Sequence, residues 1–260
     1  MLWMMNKEQI SAYFSRLSMN PETKPEYTYE FLCRIQYHHV TSIPYENLDI
    51  IQGKPLCYTT DALYNKIVRE RRGGYCFELG GLLSRFLKDL GFEVTDYLGR
   101  FLRDVEGTPV RHHRVMKVMT QDGPYIVDVG VGSAAPRYPV KLEEGLIQEQ
   151  FGETYRFEKT PDLGWVLFEL HHDDWRPFYS FTEDPQLEID YLLPSFYCEQ
   201  HPDSKFNKGI MVAIKTADGR KTLNGREYKV FRGETAVQVK ENLTDDEITA
   251  CLEQEFGIVL

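Results

Sequence analysis

The sequence predicts an α+β fold in three parts: a helical first part of about ninety residues, a β-rich middle and a small C-terminal α/β element. Three observations support this fold class. Apolar residues recur at helical spacing up to Gly91, short β-prone runs follow, and two more strands and a last helix end the chain. The 260 residues, 42% of them hydrophobic, are enough for a buried core and several subdomains.

The helices are predicted from capping residues and apolar periodicity. Asn6 and Gln9 resemble the partners of a capping box at a first helix, and Thr244 and Glu247 resemble the same motif at the last one. A further helix is predicted to begin at Cys76. The internal helical patterns are TYEFLCRIQYHHV, DALYNKIVRE and CFELGGLLSRFLKDLG.

The strands are predicted from β-prone runs that Gly, Pro and Asp separate. In RVMKVMTQDGPYIVDV, Asp122 and Gly123 predict a hairpin with a two-residue turn. That register places Lys117 opposite Asp128 and leaves His113 four residues, or ~13 Å, from Asp128. Contact between these two side chains would need an irregular loop, a bulge or a strong bend. The other predicted strands are VTDYLGRFL, YRFEK, WVLFEL, WRPFYSF, GIMVAIKT and REYKVFR.

Composition and charge exclude several classes of function. The 40 acidic and 30 basic residues give a net charge of −10, and no basic stripe is present, so we expect no nucleic-acid partner. The N-terminal MLWMMNKEQI lacks a basic region before its apolar residues and is not predicted to be a signal peptide, and no run is long enough to predict a membrane span. Five scattered cysteines without a Cys-x-x-Cys pair favour free thiols in a reducing cytoplasm.

Cys76 has two possible roles. It lies in RRGGYCFELGG, where two glycines precede a predicted helix start. A helix N-terminus or an imidazolium can stabilise a thiolate, and backbone N–H groups beside glycines can form an oxyanion hole, which favours a nucleophile. A free cysteine is also a common packing residue in a core. These residues alone leave both interpretations open.

A nucleophilic thiol needs a histidine, and seven are available, six of them in doublets at 38–39, 112–113 and 171–172. Their spacing matches no standard zinc pattern, so we expect no metal site. Strand parity favours His113 over His112 as the residue on the face of Asp128. Asp128 could orient that imidazole as the third member of a triad, or it could be an ordinary acid at a strand end.

Several segments together resemble one known family. RGGYCFEL, a histidine followed by a strand, and VDVGVG are similar to motifs of the arylamine N-acetyltransferases, also called N-hydroxyarylamine O-acetyltransferases. SIPYENLDI at 42–50 and HPDSKFNKGIMV at 201–212 resemble two further segments of that family. The matches occur in the same order over about 170 residues, which is more specific than any single motif.

The resemblance implies a cysteine-protease-like core with a Cys-His-Asp triad. Cys76 and Asp128 lie in the family's motifs, and the spacing to Asp128 selects His113, with His112 as the alternative. An acetyl group would pass from acetyl-CoA through a cysteine thioester to an arylamine, arylhydroxylamine or hydrazine in a ping-pong reaction. Acetyl-CoA would be a co-substrate, with no tightly bound cofactor. The resemblance suggests that Gly130 and Gly132 contact CoA.

The resemblance also implies a division into three domains. A helical domain at 1–91 would carry the nucleophile, a β-barrel domain at 92–205 would carry the histidine and the aspartate, and an α/β lid would span 206–260. The expected partners are acetyl-CoA and small aromatic amines or hydrazines, with no nucleic acid and no membrane, in a monomer or a homodimer. The alternative function is a thiol hydrolase or transglutaminase-like acyl transferase that uses the same triad.

The chain departs from the family's pattern at two positions. Gly80 replaces a frequent asparagine and forms a Gly-Gly pair with Gly81, which should cost roughly 1 kcal/mol per glycine in a helix. Val131 replaces an aromatic residue, so we expect a wider pocket near the triad. Glu46 and Asn47 are interpreted as buried polar residues that tie the helical domain to the barrel.

Overall fold

The structure is a computed structural model that describes residues 4–260. The first residues of MLWMMNKEQI, on which the signal-peptide prediction rests, lie outside this range. A π-helical segment, Asn65–Arg69, continues directly from the helix Thr60–Tyr64. The described helices are α1 (Lys7–Arg16), α2 (Tyr29–Ser42), α3 (Leu48–Ile51), α4 (Thr60–Tyr64), α5 (Cys76–Asp89), α6 (Leu192–Gln200) and α7 (Asp245–Phe256).

The helices predicted from the sequence form where the caps and periodicity place them. Asn6 and Gln9 exchange two hydrogen bonds of 2.9 Å at the start of α1, and Thr244 caps α7 through Glu247. Helix α5 is central to the helical part because its apolar stripe is fully buried against α1, α2 and α4. Gly91 follows its C-cap with φ of +95°, a conformation that favours glycine.

Eight strands form one antiparallel sheet in the order β5-β4-β3-β2-β9-β8-β7-β6. A buried aromatic and aliphatic cluster from β2, β3, β4, β7, β8 and β9 fills its interior. The strands are β2 (Val94–Phe101), β3 (His113–Thr120), β4 (Gly123–Val127), β5 (Val140–Lys141), β6 (Gln148–Gln150), β7 (Glu153–Thr160), β8 (Gly164–His171) and β9 (Asp174–Phe181).

Two glutamine side chains nearly close this sheet into a barrel. Gln148 accepts a hydrogen bond from the Lys141 N–H at 2.7 Å and donates to the Lys141 carbonyl at 3.1 Å. Gln150 makes the same pair of bonds to Tyr138, at 2.6 and 3.0 Å. The edge strands β5 and β6 are therefore joined by side-chain amides, which satisfy backbone groups that an open edge would leave unpaired.

The hairpin register differs from the prediction by two residues. Thr120 faces Gly123 and Lys117 faces Ile126, so the turn residues are Gln121 and Asp122 rather than Asp122 and Gly123. Thr120 causes this shift, because its hydroxyl accepts the Asp122 N–H at 3.1 Å and donates to the Gly123 carbonyl at 3.1 Å. If this register is extended past the end of β4, His113 and Asp128 are offset by two residues along the strands instead of the predicted four.

A second, five-stranded sheet combines an early segment with the C-terminal strands. Its order is β1-β10-β11-β12-β13, and α7 packs on it. Strands β1, β11 and β13 were not predicted from the sequence. Strand β11 lies between Asp-Gly and Asn-Gly pairs, and β13 follows an Arg-Gly pair. The strands are β1 (Tyr45–Glu46), β10 (Met211–Lys215), β11 (Gly219–Asn224), β12 (Glu227–Arg232) and β13 (Thr235–Lys240).

The α+β class and a nearly closed β-barrel beside a set of helices are as expected from the sequence. The three-domain division at residues 91 and 205 stays a prediction. Strand β1 crosses it, because Tyr45 pairs with both Gly74 and Ala213. Between residues 4 and 260, no helix is both long and apolar enough to cross a membrane.

One histidine is buried without a hydrogen bond. His39 is 0% exposed, and neither of its ring nitrogens has a partner among residues 4–260. The Tyr13 ring lies edge-on to it, and the buried Arg16 guanidinium donates to four backbone carbonyls nearby. Burial, assisted by the charge of Arg16, lowers the pKa of His39 to about 3.

We expect His39 to make the fold sensitive to acid. A histidine with a lowered native pKa binds its proton more readily when unfolded, so stability falls as the pH drops from about 6.5 towards 3. This group should cost about 3 kcal/mol of unfolding free energy between pH 7 and pH 4. Denaturant titrations at both pH values should show a smaller loss in His39→Leu. The half-exposed His201→Gln is the control, and an equal loss in all three proteins would contradict the prediction.

Candidate active site

Cys76 is the first residue of α5 and is 1% exposed. The Glu78 carboxylate one turn later accepts the Tyr75 N–H at 3.1 Å, which fixes the backbone just before the thiol. The preceding segment is held from the other side, because the Gly74 carbonyl accepts the Glu46 N–H at 2.9 Å. The predicted placement of this cysteine at a helix start is confirmed.

A buried network of charged residues holds the start of α5 in place. Glu78 accepts a hydrogen bond from Lys66 at 2.7 Å, and the same ammonium lies 2.7 Å from Asp49. Arg72 connects Asp49 to Glu46, at 3.1 and 2.9 Å. Burial raises the pKa of Glu78 to about 7 although Lys66 acts in the opposite direction. Because every member has at least one charged partner, the network anchors the loop that carries Cys76.

His113 and Asp128 are in direct contact. His113 begins β3, Asp128 follows the end of β4, and Nε2 of the imidazole lies 2.8 Å from Oδ2 of the carboxylate. Gln36 of α2 accepts the Asp128 N–H at 3.3 Å, and Oδ1 of Asp128 accepts the Gly130 N–H at 2.8 Å. The carboxylate is thus fixed by its own loop, and the bond through Nε2 leaves Nδ1 of His113 available.

The shorter offset in the hairpin explains part of this contact, and a bend explains the rest. Met116 and Val127 form the last pair of the ladder, so Asp128 is no longer constrained by β3. The neighbouring His112 points elsewhere, since its Nδ1 lies 2.7 Å from the Val110 carbonyl. Only one histidine of the doublet therefore contacts the carboxylate.

Cys76 and His113 line the same cavity, which has a volume of about 190 Å³. The thiol donates to the His112 carbonyl at 3.6 Å. The cavity walls come from the helical part, the barrel and the five-stranded sheet. Its other lining residues are Tyr45, Phe101, Gly130, Val131, Gly132, Ser133, Lys205, Phe206, Met211, Val212, Ala213, Thr222 and Asn224.

Burial dominates the ionisation of the thiol. It raises the pKa of Cys76 well above the ordinary value, and the nearby Cys198 raises it further. The backbone N–H groups of Arg114 and Phe77 act in the opposite direction without overcoming burial. From the sequence, the helix start was expected to favour the thiolate. In this geometry the thiol instead needs a neighbouring base to take its proton.

Close packing explains two of the glycines that the sequence analysis singled out. A Cβ on Gly130 would lie 2.7 Å from both Cα and Cβ of Cys76, so this residue lets the 128–132 loop approach the nucleophile. A Cβ on Gly132, which has φ of +59°, would press on the Tyr45 ring. Both line the cavity, and their contact with CoA stays a prediction. Val131 also lines the cavity and is half-buried.

The Gly80-Gly81 pair makes room for a buried arginine. A Cβ on Gly80 would lie 3.2 Å from Cδ of Arg114, and one on Gly81 would lie 3.1 Å from its Nη1. Arg114 donates twice to Asp96, at 3.0 and 2.8 Å, and stacks on the Tyr191 ring at 4.2 Å. The glycines thus let α5 pack closely on Arg114 of β3, the strand that begins with the site histidine, while the ion pair with Asp96 joins β3 to β2.

The C-terminal third contributes to the cavity, which was not predicted from the sequence. Lys205 and Phe206 lie in HPDSKFNKGIMV, a segment noted only for its resemblance. Asn47 fixes this segment, since its amide donates to the Phe206 and Gly209 carbonyls at 2.8 Å and accepts the Met211 N–H at 2.7 Å. The interpretation of Asn47 as a link to the barrel is therefore wrong, because its partners precede or begin β10.

The other histidine doublets do not form a metal site. The His171 and His172 ring centroids lie 4.5 Å apart with the rings tilted by 41°, and His39 lies in the helical core. Within residues 4–260, no three His, Cys, Asp or Glu side chains are arranged to hold a metal ion. All five cysteines are free thiols.

The chain matches known proteins over nearly its full length. Residues 28–260 match the N-acetyltransferase family model. An arylamine N-acetyltransferase of Mycolicibacterium smegmatis is 35% identical over 257 residues, which cover 96% of this chain and 92% of that protein. The structure of the Salmonella typhimurium arylamine N-acetyltransferase has a TM-score of 0.91 at 31% identity, covering 98% of this chain and 92% of the other.

A second similar structure contains a ligand. The Mycobacterium marinum arylamine N-acetyltransferase in complex with CoA has a TM-score of 0.87 and 31% identity, and the match covers 96% of this chain and 92% of that one. The similarity therefore extends to enzymes of known fold, one of which was captured with CoA.

Proposed function

Because this chain belongs to the arylamine N-acetyltransferase family and is an enzyme of that class, we propose that it transfers acetyl groups from acetyl-CoA through Cys76. The observation that carries this proposal is the 2.8 Å bond between His113 and Asp128 at a cavity that also contains the Cys76 thiol. A nucleophile, a base and a group that orients the base are the components of a triad. The proposed catalytic residues are Cys76, His113 and Asp128.

In the proposed first half-reaction, Nδ1 of His113 takes the Cys76 proton as the sulfur attacks the thioester carbonyl. Burial raises the pKa of the Cys76 thiol, which favours proton transfer to this base during the attack. The bond from the carbonyl carbon to the CoA sulfur then breaks, and that sulfur leaves with the proton from His113. The Tyr75 N–H is already bound to Glu78, so we propose that other backbone N–H groups of residues 74–77, at the start of α5, stabilise the oxyanion.

In the proposed second half-reaction, the Cys76 sulfur is the leaving group instead of the nucleophile. The acceptor nitrogen attacks the acetyl group on Cys76, and His113 removes a proton from that nitrogen. The bond between the carbonyl carbon and the Cys76 sulfur breaks, and His113 returns a proton to the sulfur. Arylamines, arylhydroxylamines and hydrazines suit this site, because an aromatic amine is largely neutral at pH 7 and binds an apolar cavity without loss of ionic hydration.

The division of the chain into three domains, at residues 1–91, 92–205 and 206–260, remains part of this proposal.

The fate of the acetyl-enzyme separates this function from the alternative, a thiol hydrolase or transglutaminase-like acyl transferase. Protein acetylated with one equivalent of acetyl-CoA should lose its acetyl group slowly in buffer and at least tenfold faster with excess 4-aminobenzamide or hydralazine, yielding the acetylated acceptor. Mass spectrometry of protein and product at timed intervals measures both rates. Equal rates with and without acceptor, with acetate as the product, would favour the hydrolase.

A further inference from the structure

The cavity-lining residues between positions 4 and 260 carry one permanent charge, the ammonium of Lys205. The described lining residues include no carboxylate. Two imidazoles are present, but burial lowers the pKa of His112, and the neighbouring charges of His113 and Lys205 lower it further. Asp128 lies behind His113 and is 1% exposed. An acceptor in this cavity would therefore meet one fixed positive charge and no fixed negative charge at its wall.

Lys205 has no counter-ion among residues 4–260. Its Nζ lies 5.7 Å from the centre of the Phe101 ring, and it makes no ion pair. Asp203, the acidic residue closest to Lys205 in sequence, has its Oδ2 3.9 Å from Nδ1 of His201 instead. Lys205 is exposed, so its ammonium can adjust to a ligand. In a chain with a net charge of −10, an unpaired cation at a substrate cavity is a local exception to the overall field.

The position of Lys205 suits the far end of a single-ring acceptor. Phe101 separates it from the site histidine, since the Phe101 ring lies 6.4 Å from the His113 ring and beneath the ammonium. A substrate ring alongside Phe101 with its amine at Cys76 would direct its opposite substituent towards Lys205. We infer that Lys205 selects acceptors with a carboxylate on the ring position opposite the amine, as in 4-aminobenzoate.

The phosphates of acetyl-CoA share this anionic chemistry, but their distance from the thiol is unfavourable. When the thioester lies at Cys76, the whole pantetheine arm separates it from the pyrophosphate, whereas one ring separates Lys205 from His113. The carboxylate of a small acceptor is therefore the better match. This inference rests on the proposed function, because it assumes that acceptors attack acetyl-Cys76.

The test compares two acceptors of equal shape in three proteins. The acceptors are 4-aminobenzoate and the uncharged 4-aminobenzamide, and the proteins are the wild type, Lys205→Met and Lys208→Met. Lys208 is an exposed lysine in the same segment that does not line the cavity, which makes it the matched control. Lys205→Met should lower kcat/KM for 4-aminobenzoate about fivefold to tenfold and change that for 4-aminobenzamide less than twofold. Lys208→Met should change neither.

The rate of Cys76 acetylation by acetyl-CoA distinguishes the two sources of negative charge. It should be unchanged in Lys205→Met, and a loss in this half-reaction alone would assign Lys205 to the CoA phosphates and overturn the inference. Equal losses for both acceptors would also overturn it, because they indicate a structural role. If the wild type forms no acetyl-Cys76, the proposed function itself fails. If Cys76 is acetylated normally but Lys205→Met affects 4-aminobenzoate no more than 4-aminobenzamide, only the role of Lys205 is contradicted.

Discussion

Replacing Cys76 with serine is expected to lower the kcat/KM of arylamine acetylation by ~10⁴-fold or more. The hydroxyl is a far weaker acid than the thiol, so His113 would activate it far less effectively at neutral pH, and an oxygen ester would be a poorer acyl donor to an amine. The substitution changes one buried atom without adding volume, so the fold should be retained. Initial rates with acetyl-CoA and 4-aminobenzamide measure the effect.

The exposed Cys57 provides the matched control for this change. It lies in a loop before α4, and its sulfur is 3.4 Å from the Thr59 hydroxyl. Cys57→Ser should keep the rate within twofold of the wild type. If Cys76→Ser kept more than about a tenth of the activity while Cys57→Ser lost it, the nucleophile would be assigned to the wrong thiol.

Replacing Asp128 with asparagine is expected to lower kcat/KM by ~10³- to 10⁴-fold, the scale seen when the orienting acid of a triad becomes an amide. The amide oxygen can still accept the Gly130 N–H, which Oδ1 now accepts at 2.8 Å. The amide nitrogen would then donate to Nε2 of His113. This places the imidazole proton on Nδ1, the nitrogen that should accept the Cys76 proton.

The exposed Asp122 of the hairpin turn is the control for Asp128. Asp122→Asn should retain full activity, and the thermal unfolding midpoint of Asp128→Asn should confirm that its loss is chemical. The rate at which iodoacetamide alkylates Cys76 adds a second readout. It should fall in Asp128→Asn and remain unchanged in Asp122→Asn. An active Asp128→Asn protein would show that this carboxylate does not orient the base.

Local patterns predicted α1, α2, α4, α5, α7 and the position of Cys76, because capping and periodicity depend on residues that are close in sequence. Helices α3 and α6 were not predicted. The start of α5 is an example, since glycines, a helix former at Glu78 and an apolar stripe all favour the same boundary. The β-rich middle part was also predicted from its short β-prone runs. The short strands β1, β5 and β6 were not predicted, nor were β11 and β13, which adjoin closely spaced turn signals where short runs are difficult to separate.

The contact between His113 and Asp128 could not be derived from sequence spacing alone. One hydroxyl, that of Thr120, moves the turn by a residue on each strand, and Gln36 from a distant helix binds the Asp128 backbone. Both are tertiary effects that change the register or the direction of the chain. Only the resemblance to a family selected the two residues together.

The role of the Gly80-Gly81 pair also depends on long-range packing that the local sequence does not reveal. The sequence marks it as a cost within a helix, but the compensation comes from Arg114, which lies 33 residues beyond Gly81 and pairs with Asp96. Likewise, nothing local marks Lys205 as part of a cavity, because its neighbours Phe101 and His112 belong to other elements. Long-range packing decided both positions.

The central claim is that an acetyl group is held on the sulfur of Cys76, and intact-protein mass spectrometry tests it most directly. After wild-type protein is mixed with acetyl-CoA and the acceptor is omitted, we expect a gain of one acetyl group per chain, mapped to the peptide that contains Cys76. The adduct should be absent in Cys76→Ser and present in Cys57→Ser. Turnover of an arylamine by wild-type protein that never shows this adduct would contradict the account, since the acetyl group would then pass directly from CoA to the acceptor.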